Sequence, residues 1–221
     1  MMFSGARRRG RLFGFDRFQP CGLTHLTMPT LKSLPLLLAV VPVLQGCAYA
    51  LVPETSDPLR KIDQAYQMWS VGRWVPAEGL GREALTLGEK SGDPAAIANA
   101  HRYLGNFYKS GLYREHAQWF AEQGRYDPTS GLSISHFEKA EQTWASIDNH
   151  VGMALDQFNQ GVAYSIDENH DKTCERYATS LDTYESAREE FAKTPLPIGP
   201  HFKDFPSMVE AFGEQENCEA L

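Results

Sequence analysis

The chain has 221 residues, 42% of them hydrophobic and 22% charged, a balance that suits one ordinary globular domain and excludes wholesale disorder. Of its 21 Lys/Arg and 28 Asp/Glu, six and one fall before Ala48, so the remainder holds 15 basic and 27 acidic side chains, a formal charge of −12. Such an acidic body excludes general binding to nucleic acid and to anionic lipid surfaces, where clustered Lys/Arg must neutralise phosphates.

In chain order, the first predicted element is an address. From Met28 the sequence runs Met-Pro-Thr-Leu-Lys-Ser, then an apolar stretch from Leu34 to Leu44, then Gln45-Gly46-Cys47. One positive charge, a short apolar run and a small-residue exit have the layout of a secretory signal, and the run is too short to span a bilayer. Leu44-Gln45-Gly46-Cys47 resembles the lipobox of bacterial lipoproteins. That resemblance implies that residues 1–46 are leader and signal peptide and that Cys47 is the lipidated first residue of the mature protein, tethered to a membrane without crossing it. Met28 heads a signal of ordinary length by itself, so residues 1–27 are read as upstream of an alternative start. Ala48 is not the aspartate that resembles an inner-membrane retention signal, so the expected place is the outer membrane, facing the periplasm.

Residues 47–56 read as a tether. Asp57-Pro58 then predicts a helix start, because Asp can accept from free backbone N–H groups and Pro sits at a helical φ where its missing donor costs nothing. The pair recurs at Asp93-Pro94, just after Gly92, a predicted left-handed terminator. Between them, Ala65, Gly72, Trp74, Ala77 and Ala84 fall where a tetratricopeptide repeat (TPR) expects its small residues, turn glycine and aromatic. The chain resembles that family over most of residues 57–193. Small residues let two helices cross closely while aromatics fill the space between hairpins.

A second copy places Gly105 forty residues after Ala65. A third matches Ala154, Gly161 and Tyr164 to Ala98, Gly105 and Tyr108 at a constant offset of 56, as Ala140 matches Ala84. The longer offset predicts an insertion in the second hairpin, near residues 111–132, with Trp119 and Phe120 on a short extra helix. Ser135 and Glu138 predict a capping box opening the next helix. The last long helix is expected from Lys172 to Lys193, with Tyr177, Leu181, Tyr184 and Phe191 near helical spacing. The fold expected is all-α: a short right-handed superhelical array of about three TPR-like hairpins, with residues 194–221 as a C-terminal tail or cap.

In the tetratricopeptide family, set positions of each first helix face a concave groove. The resemblance puts Leu59, Ile62, Tyr66 and Trp69 there from the first hairpin, Asn99, Arg102, Asn106 and Lys109 from the second, and Leu155, Phe158, Val162 and Ser165 from the third. Arg102 and Asn106 resemble the Lys/Asn pair with which some members grip a peptide carboxylate, which a guanidinium can meet bidentately. The alternative is that the four second-hairpin residues form the solvated face of an amphipathic helix. A rival occupant of the groove is the tail itself, where Phe205, Val209 and Phe212 follow i, i+4, i+7 and terminal repeat faces need shielding.

Cys174 and Cys218 are the only body thiols besides Cys47, and an oxidising exported compartment predicts a bridge between them. It would close a 44-residue separation, contributing about 4 kcal/mol through loop-closure entropy. No catalytic residue, metal site or cofactor motif is predicted: the histidines lack ligand spacing, and no phosphate loop or serine elbow occurs. The function expected is that of a membrane-anchored adaptor or scaffold for a protein or peptide partner in the cell envelope, without nucleic acid. The alternative is a catalytic or solute-binding lipoprotein whose site lies between the groove and an insert carrying Trp119 and Tyr126.

Overall fold

The computed structural model describes residues 53–194, 196, 198 and 201–219. The stretch expected to be a signal sequence, and Cys47, lie outside the described residues. Among the described residues all regular structure is helical, in ten helices. No helix there is long and apolar enough to cross a membrane.

The first pair is α1 (Pro58–Ser70) and α2 (Trp74–Ser91), joined through Gly72 at φ 72°. Asp57 caps α1 by accepting from the N–H groups of Leu59 and Arg60, and Gly92 ends α2 in the left-handed region at φ 63°, a conformation glycine adopts without a Cβ clash. Asp93 then caps α3 (Pro94–Lys109) through the Ala96 N–H.

The main partner of α3 is α6 (Gly131–Ala145). Between them the chain inserts α4 (Gly111–Glu115) and α5 (Ala117–Glu122). The third pair is α7 (His150–Ile166) with α8 (His170–Ser186), each opened by an Asn side chain, Asn149 and Asn169, accepting from the backbone three residues on. Successive pairs pack through α2 against α3 and α6 against α7, and α10 (Phe205–Glu216) packs on α8.

Two local expectations are corrected. Ser135 does not cap a helix: α6 already begins at Gly131, because Asp127 gathers the turn before it, accepting from the N–H groups of Thr129 and Leu132. The helix expected from Lys172 to Lys193 is also broken. Ala187, at φ −130° and ψ 29°, separates α8 from α9 (Arg188–Lys193).

Close crossings explain the small residues. A Cβ on Gly105 would sit 2.8 Å from the Phe137 ring, and one on Gly161 would sit 2.5 Å from the Tyr177 ring. The offsets of 56 and 40 carry Ala77 to Ser133 and Thr173, and Ala84 to Ala140 and Ser180. All six are fully buried. The three polar members keep their hydroxyls satisfied by bonding the carbonyls of Gly105, Asn169 and Tyr177 respectively, which removes the penalty of burying a hydroxyl without a partner.

One apolar cluster joins the first pair, α3 and the insert, including Phe107 and Phe120, both wholly buried. A second joins α7, α8, α9 and α10 around Phe158, Tyr177 and Phe205. Ala98, Ala140 and Trp144 fill the middle.

Candidate functional site

Helices α1, α3 and α7 carry the residues expected to line the groove. On α1, Leu59 and Tyr66 are open, at 45% and 41% exposure, while Ile62 is buried. Tyr66 stacks on Trp69 at 5.9 Å between ring centres and meets Tyr103 edge-on at 4.7 Å. Asn99 bonds its amide back to Ala95 O at 2.9 Å.

The remaining α3 positions differ from expectation. Arg102 is not a vacant carboxylate receptor: its Nε and Nη2 donate to the two carboxylate oxygens of Asp156 on α7, at 2.7 and 2.8 Å, and Nη2 also reaches Gly152 O. The guanidinium lies 5.2 Å from the centre of the Trp144 ring. Asp156 is wholly buried, and burial pushes its carboxyl up to about 6 in spite of Arg102. Lys109 is withdrawn too. Its Nζ donates to Asn159 Oδ1 at 2.5 Å, sits above Phe137 at 5.1 Å, and is pushed down to about 8 by burial. The basic patch expected on a solvent-facing helix is therefore a set of ties between α3 and its neighbours. Asp156 and Asn159 carried no sequence signal as partners, because each lies more than forty residues from its mate.

The α7 positions are occupied from within. Phe158 is buried, and the rings of Phe212 and Phe205 approach it at 5.2 and 6.3 Å. Ser165 donates to Glu216 at 2.6 Å. Leu155 and Val162 pack on the same cluster as Leu196, Ile198 and Phe202 of the tail. Cys174 and Cys218 are joined, with Cα atoms 5.4 Å apart. The tail thus covers the third-hairpin wall, and the open face is the part shared by α1 and α3.

The insert turns its aromatic side chains inward rather than over that face. Trp74 at the start of α2 is stacked on His116 at 4.3 Å and met by Trp119 at 4.6 Å. Arg125 bonds both carboxylate oxygens of buried Glu78, which also accepts from the Tyr108 hydroxyl at 2.9 Å. A cavity of about 420 Å³ lies beside this network, lined by Arg82, Arg125, Tyr126 and His136 among others. His136 on α6 and His101 on α3 face each other with Nδ1 atoms 2.9 Å apart. Residues 35 apart give no ligand spacing, so the pairing was invisible in sequence. Among the described residues no group of three or more His, Cys, Asp or Glu could hold a metal ion.

No family model matches the chain, and no curated protein matches it.

Proposed function

We propose that this protein is a TPR-like interaction module, held in the bacterial envelope through a lipid on Cys47 and facing the periplasm, that serves as an adaptor or scaffold for a protein or peptide partner. The observation that carries this reading is the open α1–α3 face. Leu59 and Tyr66 of α1 stand exposed, Tyr66 against Tyr103 of α3, and Asn99 and Asn106 of α3 are partly exposed, while the matching wall on α7 is already covered. Small residues at each helix crossing and fully buried equivalents at offsets of 56 and 40 support the hairpin-repeat reading. With Arg102 and Lys109 engaged internally, recognition on this face rests on apolar and aromatic contact with amide hydrogen bonds, not on a charge clamp.

The test is a photoreactive benzoylphenylalanine placed at Tyr66 in cells, with Ile147, another exposed apolar residue at 39%, as the control position. A protein adduct of defined mass from Tyr66 and none from Ile147 is the expected result. Equal adducts from both positions, or none from Tyr66, count against the reading. A small molecule retained in place of an adduct would favour solute binding. The anchor is checked separately, by mass spectrometry of the N-terminal peptide for an acylated Cys47.

A further inference from the structure

We propose that the third hairpin carries a helix-docking face centred on Phe158, that α10 is its resident occupant, and that the Cys174–Cys218 bridge decides whether an amphipathic helix from a partner can take its place. This surface is separate from the α1–α3 face.

The structure shows what fits there. Helix α10 presents Phe205, Val209 and Phe212 on one side: Phe212 meets Phe158 edge-on, Phe205 contacts Tyr184 and Phe191 at 5.9 and 5.5 Å, and Val209 is wholly buried. Its other side is polar, with Glu210, Glu214 and Gln215 exposed. At its end Glu216 accepts from Ser165. A competing helix is therefore specified by Phe, Val and Phe at i, i+4 and i+7, a polar opposite face and a carboxylate near its C-terminus.

Two attachments hold α10 at this face besides its own packing. One is the chain before it, which leaves α9 at Lys193. The other is the bridge, which ties the far end of α10 to α8 just beyond the left-handed cap at Asn217. With both in place the helix is held at each end. With the bridge open it stays tethered at one end only, and a partner helix competes against an effective concentration instead of a covalent bond.

The bridge is reachable, since both cysteines are only partly buried. A dithiol reductant attacks Cys218 Sγ as a thiolate and forms a mixed disulfide, and Cys174 leaves as a thiolate. The reductant's second thiol then displaces Cys218, so two electrons and two protons pass to the protein and the reductant becomes a disulfide. His170, whose ring nitrogens lie 3.8 and 3.9 Å from Cys174 Sγ, stands where it can hydrogen-bond the departing sulfur.

The experiment uses the full body of the protein, oxidised and reduced, with a fluorescent peptide of residues 203–219 carrying Cys218→Ser as the probe. Reduction is expected to speed amide exchange in residues 205–216 at least about tenfold and to tighten peptide binding at least about tenfold. A Val209→Asp peptide should not bind. The Cys174→Ser/Cys218→Ser chain should behave as the reduced protein does, with exchange in α1 and α3 as the internal check that the rest stays folded. Unchanged exchange in α10, failure of the reduced chain to take the peptide, equal binding of the Val209→Asp peptide, or a swapped dimer that excludes the peptide would each overturn the proposal.

Discussion

Arg102 of α3 and Asp156 of α7 meet through two parallel hydrogen bonds, 2.7 and 2.8 Å long, with the Asp156 side chain wholly buried and that of Arg102 18% exposed. Removing one partner leaves the other uncompensated, so Arg102→Met is expected to cost about 3–5 kcal/mol. Replacing both, Arg102→Met with Asp156→Leu, should restore most of that loss. Urea unfolding of the four-member cycle checks it, and a double variant no better than the single would show that the loss does not come from the stranded carboxylate.

Gly105 and Gly161 are fixed by the rings above them. Gly105→Ala puts a methyl group 2.8 Å from Phe137, and overpacking of this kind costs about 1–3 kcal/mol. Phe137→Leu also destabilises by itself, but its combination with Gly105→Ala should be less harmful than the two losses added. Thermal or chemical denaturation of the single and double variants measures the coupling.

Glu78 binds the insert to α2. Glu78→Ala leaves Arg125 and the Tyr108 hydroxyl without their shared acceptor, and a loss on the order of 3 kcal/mol is expected from the unpaired groups. The diagnostic readout is local: amide exchange or protease cleavage should rise first in residues 111–126, ahead of α7 and α8.

His101 and His136 supply a pH dependence. Burial pushes their imidazoles down to about 4 and about 3, respectively, and Lys139 adds to both shifts. In the unfolded chain both would titrate near 6.5. As pH falls below 6.5 the unfolded state therefore takes up protons that the folded pair refuses, so stability is lost progressively toward pH 4 and below. Asp156 works in the opposite sense, since burial raises its folded value and protonation favours the folded state below about 6. Comparison with His136→Phe isolates the histidine contribution: the variant should lose less stability between pH 7 and pH 4.5 than the parent. Parallel pH profiles would show that the pair does not act this way.

Much of the helical frame was legible because its signals are local. Asp57-Pro58, Gly92 and Asp93-Pro94 mark ends by chemistry within four residues, and the 56-residue spacing of Ala84 to Ala140 left room for the two short helices α4 and α5 between α3 and α6. The candidate site was less legible. A basic residue at a groove-facing position looks the same in sequence whether it faces water or a buried carboxylate, and Asp156, the deciding partner of Arg102, lies 54 positions away. The same blindness hid Glu78 as the acceptor of Arg125. Ala187 interrupted a periodic pattern without a proline or glycine to announce it, so the break between α8 and α9 had no local cue.

The first hairpin differs from the others in where its aromatic comes from. In the second and third, the second helix supplies its own ring, Phe137 or Tyr177, whereas α2 has Gly81 at that place and receives Tyr103 from α3, its hydroxyl bonded to Ala77 O at 3.0 Å. The pair that is made first on the ribosome is thus completed only once a later segment arrives. Without α3 the place beside Gly81 has no ring to fill it, so a chain cut before Pro94 would leave part of the apolar face of α1 and α2 uncovered.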